Sequence, residues 1–229
     1  MKVPSVLRSW VLHFECSIED AVRQFAVELE EGARVLDAGA GEGQYASLFS
    51  RARYTAVDLA VGDPAWNYTR LHAVCDLSAL PFADGGFDAA INIVTLEHVR
   101  EPAAALCEIA RTLRPGARLL LVAPFEWEVH QAPHDYFRFT RYGLGELLRG
   151  AGFEKVRINP AGGYFRLLSR RLFNGLPFFM TGWRWILFPA AALFLAPAAF
   201  AAPLFDGLDK KKAFTLGYIC VAHRSENGS

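Results

Sequence analysis

Two periods govern the apolar positions of this chain. Short runs that are apolar at nearly every position alternate with segments where apolar residues recur every three to four places. These are the signatures of buried strands and of amphipathic helices. Ile18, Val22, Phe25, Ala26 and Leu29 follow the helical spacing, with Ser17 and Asp20 as an opening cap and Gly32 as the stop. Arg34–Asp37 reads as a short buried strand entering the turn Gly39-Ala40-Gly41-Glu42-Gly43, and a helix is expected from about Gln44 to Ala52. Further strands are expected at Tyr54–Asp58, Ala73–Asp76 and Phe87–Val94. Pro102–Leu113 has a helical pattern that Arg114-Pro115-Gly116 stops, and Arg118–Ala123 is an uninterrupted apolar strand. A helix at Gly143–Gly150 and strands at Lys155–Ile158 and Thr215–Ala222 complete the pattern.

Strands alternating with helices predict crossover units, and so an α/β fold built on a doubly wound sheet. A single domain over residues 1–229 accommodates these elements, with an apolar insert at about 172–205. The 24 basic residues balance the 24 acidic ones. That balance leaves no electrostatic footprint for nucleic acid, and none is expected as a partner. Cys16, Cys75, Cys107 and Cys220 are widely spaced and form no C-x-x-C pair, so reduced thiols in a cytoplasmic protein are expected. Arg8, His13 and Glu15 interrupt the apolar residues near the N-terminus, and no secretory signal is expected there.

The glycine-rich turn carries the first candidate chemistry. Glycines between a strand and a following segment let the backbone approach a ligand closely and leave N–H groups free to meet it. The spacing is G-x-G-x-G, and the third glycine of a dinucleotide fingerprint would have fallen at Gln44, which argues against a nicotinamide dinucleotide. Asp37 stands just before the turn, where a carboxylate meets an ammonium better than a pyrophosphate. Asp58 ends the next strand about 20 residues on, a spacing that suits ribose hydroxyls.

The order Leu36-Asp37-Ala38-Gly39-Ala40-Gly41-Glu42-Gly43, Val57-Asp58, Cys75-Asp76-Leu77 continues with Leu80-Pro81-Phe82 and Phe87-Asp88. Leu96-Glu97-His98-Val99, Pro102 and Leu113-Arg114-Pro115-Gly116 follow. Over roughly residues 34–124 this resembles the class I S-adenosylmethionine-dependent methyltransferases, particularly the small bacterial group with a methyltransferase type 11 domain. The resemblance implies a Rossmann-like seven-stranded sheet, mostly parallel with an antiparallel last strand, and S-adenosyl-L-methionine as cofactor. It implies that Gly39, Gly41 and Gly43 pack on the methionine part with Asp37 near it, and that Asp58 holds the ribose. Asp76 would hold the adenine amino group with Leu77 beside the ring, and Asn92, Val94 and Leu96 would line the pocket. For Glu97 and His98, a capping and packing role and a substrate contact are both open.

Methyl transfer is an in-line displacement, so alignment in a dry pocket does most of the work, and a hydroxyl or carbon acceptor also needs a base. The segment after the fifth expected strand is dense in suitable groups: His130, His134, Asp135, Tyr136, Arg138 and Thr140. His130, His134 and Asp135 are the catalytic candidates. The alternative for Asp135, Arg138 and Thr140 is structural, an ion pair plus a cap for the next helix. No metal is expected, because Pro133 breaks the regular helix that would place His130 and His134 on one ion.

Trp185–Phe205 holds no charged residue, enough length to cross a bilayer, yet Pro189, Pro197 and Pro203 interrupt it. A single crossing would also strand Thr215–Ala222 away from its sheet. Arg166, Arg170 and Arg171 before the insert at about 172–205, and Lys210, Lys211 and Lys212 after it, place positive charge on both sides; Arg184 interrupts it, with Trp183 and Trp185 near its middle. These features suit a re-entrant or interfacial anchor at an anionic inner membrane face. A substrate lid or a dimer interface is the alternative. The expectation is therefore methyl transfer to a small or lipid-linked, amphiphilic acceptor. A non-catalytic cofactor-binding module attached to the membrane is the rival.

Overall fold

The computed structural model describes residues 5–226. Its contacts divide into two compact units: one takes the residues up to Ser17 together with Pro160–Gly217, the other Ile18–Asn159 together with the residues from Tyr218 onward.

Seven strands form one sheet: β1 (Arg34–Ala38), β2 (Arg53–Asp58), β3 (Ala73–Val74), β4 (Phe87–Ile93), β5 (Leu113–Pro124), β6 (Phe153–Pro160) and β7 (Gly217–Arg224), in the order β3-β2-β1-β4-β5-β7-β6. β1 runs parallel to β2 and β4, β2 to β3, and β4 to β5. The β5-β7-β6 edge is antiparallel, so the sheet is mixed and mostly parallel, as the resemblance implied. In the central strands Val35, Leu36, Ala89, Ala90, Ile91, Leu119, Leu120, Leu121 and Val122 are all buried. This is the continuous apolar run expected where helices cover both faces.

α3 (Pro102–Thr112) starts with Pro102 in its first turn, where a missing N–H is harmless, and buries Ala105, Leu106, Ile109 and Ala110. α4 (Arg141–Gly150) is capped by Thr140, whose hydroxyl oxygen accepts from Gly143 N at 3.1 Å, and buries Leu144 and Leu148.

Several local expectations are corrected. The first long helix, α2 (His13–Val27), begins four residues before Ser17, and the Ser17 hydroxyl turns back to the His13 carbonyl at 2.7 Å instead of capping. The helix expected from Gln44 to Ala52 is a turn with a 3₁₀ segment at Ala46–Phe49. Its bonds close over three residues, and the Phe49 ring stacks on Tyr54 at 5.5 Å, drawing the segment onto β2. β5 starts at Leu113, not Arg118, because Arg114-Pro115-Gly116 forms an irregularity within the strand, with Gly116 at φ +74°.

In the other unit, α1 (Ser5–Val11), α5 (Tyr164–Gly175) and α6 (Phe188–Ala201) pack with short 3₁₀ segments. The N-terminus of α5 receives its caps from a distance. Asp206 Oδ1 accepts from Gly163 N and Arg166 N at 3.1 Å, and Asp209 Oδ2 accepts from Tyr164 N at 2.9 Å. Ser169 donates to the Ala199 carbonyl at 2.7 Å and Trp10 Nε1 to the Phe200 carbonyl at 2.7 Å, tying α5 and α1 to α6. Two of the basic residues expected to face a membrane are paired internally, Arg170 with Glu15 at 2.9 Å and Lys212 with Asp206 at 2.5 Å. By length and composition Phe188–Leu208 is long and apolar enough to cross a membrane, and 17% of an 18-residue apolar window within it is buried.

Candidate active site

The strand order reverses between β1 and β4, and in a sheet of this kind the cleft outside the carboxyl ends of those strands is where ligands bind. A cavity of about 680 Å³ opens there. Its walls come from the ends of four successive strands: Gly39–Glu42 after β1, Asp58, Leu59, Val61 and Gly62 after β2, Asp76–Ser78 after β3, and Ile93–Thr95 at β4.

The glycine turn is held from three sides. Gly39 N and Ala40 N donate to the Val57 carbonyl at 2.8 and 2.9 Å, and the Thr95 hydroxyl lies 3.0 Å from the Gly39 carbonyl. Asn92 Nδ2 donates to the Ala38 carbonyl at 2.7 Å. Gly39 has φ +93°, and a Cβ there would stand 2.1 Å from Thr95 Cγ2, so only glycine fits. Val94 carries φ +51° on the cavity wall, a strained conformation for a β-branched residue of the sort found at functional sites.

Asp58 shapes the floor. Its Oδ2 accepts from Gly41 N at 2.9 Å and its Oδ1 from Ala60 N at 2.8 Å, which fixes the carboxylate and leaves each oxygen a further lone pair. Asp76 is oriented in the same way by Ser78, whose N–H and hydroxyl donate at 2.8 and 2.7 Å and hold the carboxyl below its ordinary value. Asp37 is buried behind the turn, accepts from the Tyr54 hydroxyl, and has its pKa pushed up to about 7 by burial.

Gln131, His134 and Tyr136 close the cavity from the segment after β5, facing His98, Val99 and Arg100. The segment is clamped by Arg138, which bonds Asp135 through Nη1 at 2.6 Å and Nη2 at 2.8 Å and the Glu128 carbonyl at 2.8 Å. Arg138 holds the Asp135 carboxyl down at about 2. Tyr136 N donates to the Glu97 carbonyl at 2.9 Å, and His134 Nδ1 lies 3.0 Å from the Tyr136 hydroxyl. His130 sits one layer back, with its pKa raised chiefly by the Glu97 carboxylate.

A family model described as a methyltransferase domain matches residues 36–121. An O-methyltransferase of Aspergillus nomiae is 34% identical over 172 residues, covering 62% of this chain and 76% of that protein. The chain belongs to the class I S-adenosylmethionine-dependent methyltransferases. The human protein named "Probable tRNA methyltransferase 9B" is 34% identical over 115 residues, 48% of this chain, and the chain spans only 25% of that protein's length. In fold, the methyltransferase is similar to the Burkholderia thailandensis 1,6-didemethyltoxoflavin-N1-methyltransferase solved with S-adenosylhomocysteine. The TM-score is 0.55 at 22% identity, covering 96% of this chain and 85% of that one.

The cofactor of this methyltransferase is S-adenosylmethionine, and the residues present fit it. The cavity combines a close-approach glycine turn, two oriented carboxylates suited to hydroxyl and amino donors, and apolar walls from Leu77 and Trp66. Of the residues expected at the site, Gly39, Gly41, Asp58, Asp76, Leu77, Val94 and His134 line the cavity. Asp37, Gly43, Asn92, Leu96, His130 and Asp135 stand behind it, supporting the turn, the core or the clamp. The sequence reasoning missed Trp66, Thr95 and Gln131, and named Tyr136 only as one of the groups in the dense segment after the fifth strand. Trp66 comes from a loop that Glu42 fastens by accepting from Asn67 N at 2.9 Å. Its only sequence signal is a large aromatic set among Gly62, Asp63 and Pro64.

Proposed function

We propose that this methyltransferase methylates a small or lipid-linked, amphiphilic acceptor, and that its apolar unit holds it at the inner face of a membrane. Bound S-adenosylmethionine supplies an electrophilic methyl carbon on a sulfonium. The chain's part is to align and to dry the site. The glycine turn, Asp58 and Asp76 seat the cofactor, and Val94 and Thr95 set the wall where the acceptor approaches. His134, steadied by Tyr136, holds the proton that a hydroxyl acceptor gives up. Asp135 and His130 serve by keeping His134 and its segment in place.

The observation that carries the membrane half is α6. A helix apolar on every face belongs in a core or in lipid. Leu193 and Phe194 on α6, with Leu204 just beyond, are each about 70% exposed. Trp183, Ile186 and Phe178 extend the exposed apolar surface, and Lys210 and Lys211 remain exposed beside it in sequence, which supports an anionic surface as the counterpart. Because β7 lies next to β6 in the sheet, an interfacial or re-entrant placement is favoured over a single crossing.

The test is transfer of radiolabelled methyl from S-adenosylmethionine to fractions of a cell extract. Label in the organic phase supports the reading. Label confined to tRNA would overturn it in favour of a nucleic-acid acceptor, the substrate that the human relative's name specifies.

A further inference from the structure

We propose that Glu97, His98 and His130 form a binding site for a divalent transition-metal ion of the zinc class at the wall of the cavity.

Glu97 is fully buried, and neither of its carboxylate oxygens has a hydrogen-bond partner among the described residues. A buried ionised carboxylate without donors is strongly disfavoured unless it takes up a proton or a cation completes it. Two imidazoles face it. His98 Nδ1 lies 2.6 Å from the His134 carbonyl and His130 Nδ1 lies 3.1 Å from the Glu128 carbonyl. A carbonyl only accepts, so these bonds place the ring proton on each Nδ1 and leave each Nε2 as a bare lone pair. The two Nε2 atoms are 3.1 Å apart, and each is 3.7 Å from the same Glu97 Oε1. In these tautomers three lone-pair donors converge.

The spacing matches an ion. A triangle with edges of 3.1, 3.7 and 3.7 Å has its centre about 2.0 Å from every corner, the ordinary zinc–nitrogen and zinc–oxygen distance. Both imidazoles donate their second nitrogen to a backbone carbonyl, the arrangement that orients ligating histidines. Arg138, bonded to the same Glu128 carbonyl and to Asp135, braces the His130 side, and Asp135 in turn accepts from His130 N at 2.9 Å. Two imidazoles with one carboxylate select zinc, iron(II) or manganese(II) over magnesium or calcium, which prefer oxygen shells. Three protein ligands leave coordination open, as in catalytic sites, and His98 belongs both to the triad and to the cavity wall. Use of that open position to bind an acceptor oxygen rests on the methyl-transfer reading above; the ion does not.

The sequence by itself led to no metal being expected; in the structure His130 meets His98 and not His134. The test is to strip the protein with a chelator and dialyse it against Co²⁺ or Zn²⁺. Metal is then measured by elemental analysis and, for Co²⁺, by its visible absorption, with S-adenosylmethionine binding followed by calorimetry on the same samples. The expected result is one ion per chain. Glu97→Gln and His130→Ala should weaken metal binding about a hundredfold while still binding S-adenosylmethionine. His134→Ala should keep the ion, because His134 contributes only its backbone carbonyl. Wild-type protein that binds S-adenosylmethionine but retains no ion would overturn the site. Retention unchanged in both ligand variants would overturn it as well.

Discussion

Arg138 grips both oxygens of Asp135, with Nη1 on Oδ1 at 2.6 Å and Nη2 on Oδ2 at 2.8 Å. This bidentate pair decides how the segment between β5 and α4 is held. It supports the positioning role proposed for Asp135, because a carboxyl held at about 2 is a poor proton acceptor near neutral pH. The folded value lies below the ordinary 3.8, so the stabilisation is present above pH 4 and is lost as pH falls from about 4 to about 2. Denaturant unfolding should show wild type losing roughly 2 kcal/mol of this contribution over that window. Arg138→Gln should be less stable at pH 6 and lack that component of the acid loss. An unaltered acid profile in the variant would show that the pair does not act on stability.

Asp37 has the opposite sign. Burial raises its folded carboxyl from 3.8 to about 7, so the folded state holds the proton more tightly than the unfolded one. Its contribution is greatest below pH 4 and is lost as pH rises from about 4 to about 7. Cofactor-free Asp37→Asn, which keeps an acceptor for the Tyr54 hydroxyl, should lack this decline and equal or exceed wild-type stability at pH 7.5. Urea titrations at pH 4.5 and 7.5 read the difference, which should be on the order of a few kcal/mol.

The glycine turn and its carboxylate brace should fail in distinguishable ways. Gly39→Ala meets Thr95 Cγ2 at 2.1 Å and forces a positive φ on alanine, so the turn must move. Its affinity for S-adenosylmethionine should fall by about a hundredfold, with a lower melting temperature. Asp58→Asn keeps one acceptor oxygen, so either Gly41 N or Ala60 N loses its partner. Calorimetry should show about a tenfold loss, the worth of roughly one hydrogen bond to a charged group. Neither wild type nor variant should bind NADH.

The exposed apolar surface offers a cleaner separation. Replacing Leu193, Phe194 and Leu204 with serine removes exposed side chains that the protein does not use to fill a core. Flotation with vesicles of anionic phospholipid should fall at least about tenfold in the triple variant. Affinity for S-adenosylmethionine should be unaffected. Wild-type protein that ignores such vesicles would remove the membrane from the proposed function.

Much of the fold was legible because buried parallel strands are written as contiguous apolar runs. Leu119–Val122 and Ala89–Ile91 announce themselves without any knowledge of their neighbours. The glycine turn was legible too, since Gly39, Gly41 and Gly43 take positive φ values that few other residues tolerate, and Asp58 follows at a spacing set by one crossover. Boundaries were less so. Ser17 has the chemistry of a cap, yet a bond to His13 four residues earlier shows the helix already under way.

The acceptor side depended on contacts between residues distant in sequence. His130 and His134 are neighbours along the chain, but His130 is drawn to His98 and Glu97 on the segment after β4, while His134 turns to Tyr136 and the cavity. Whether Asp135 and Thr140 do chemistry or hold structure was open in the sequence, because a carboxylate and a hydroxyl serve both. The fold places Arg138 on one and Gly143 N on the other, contacts that support a structural role for both. By itself, then, the sequence determined the sheet, the cofactor turn and the presence of an apolar segment, since each follows from local period or backbone conformation. The tertiary structure alone decided which side chains face the cavity, which support it, and that Glu97, His98 and His130 meet. Those facts depend on how β4 and β5 are brought side by side, and no local pattern encodes that distance.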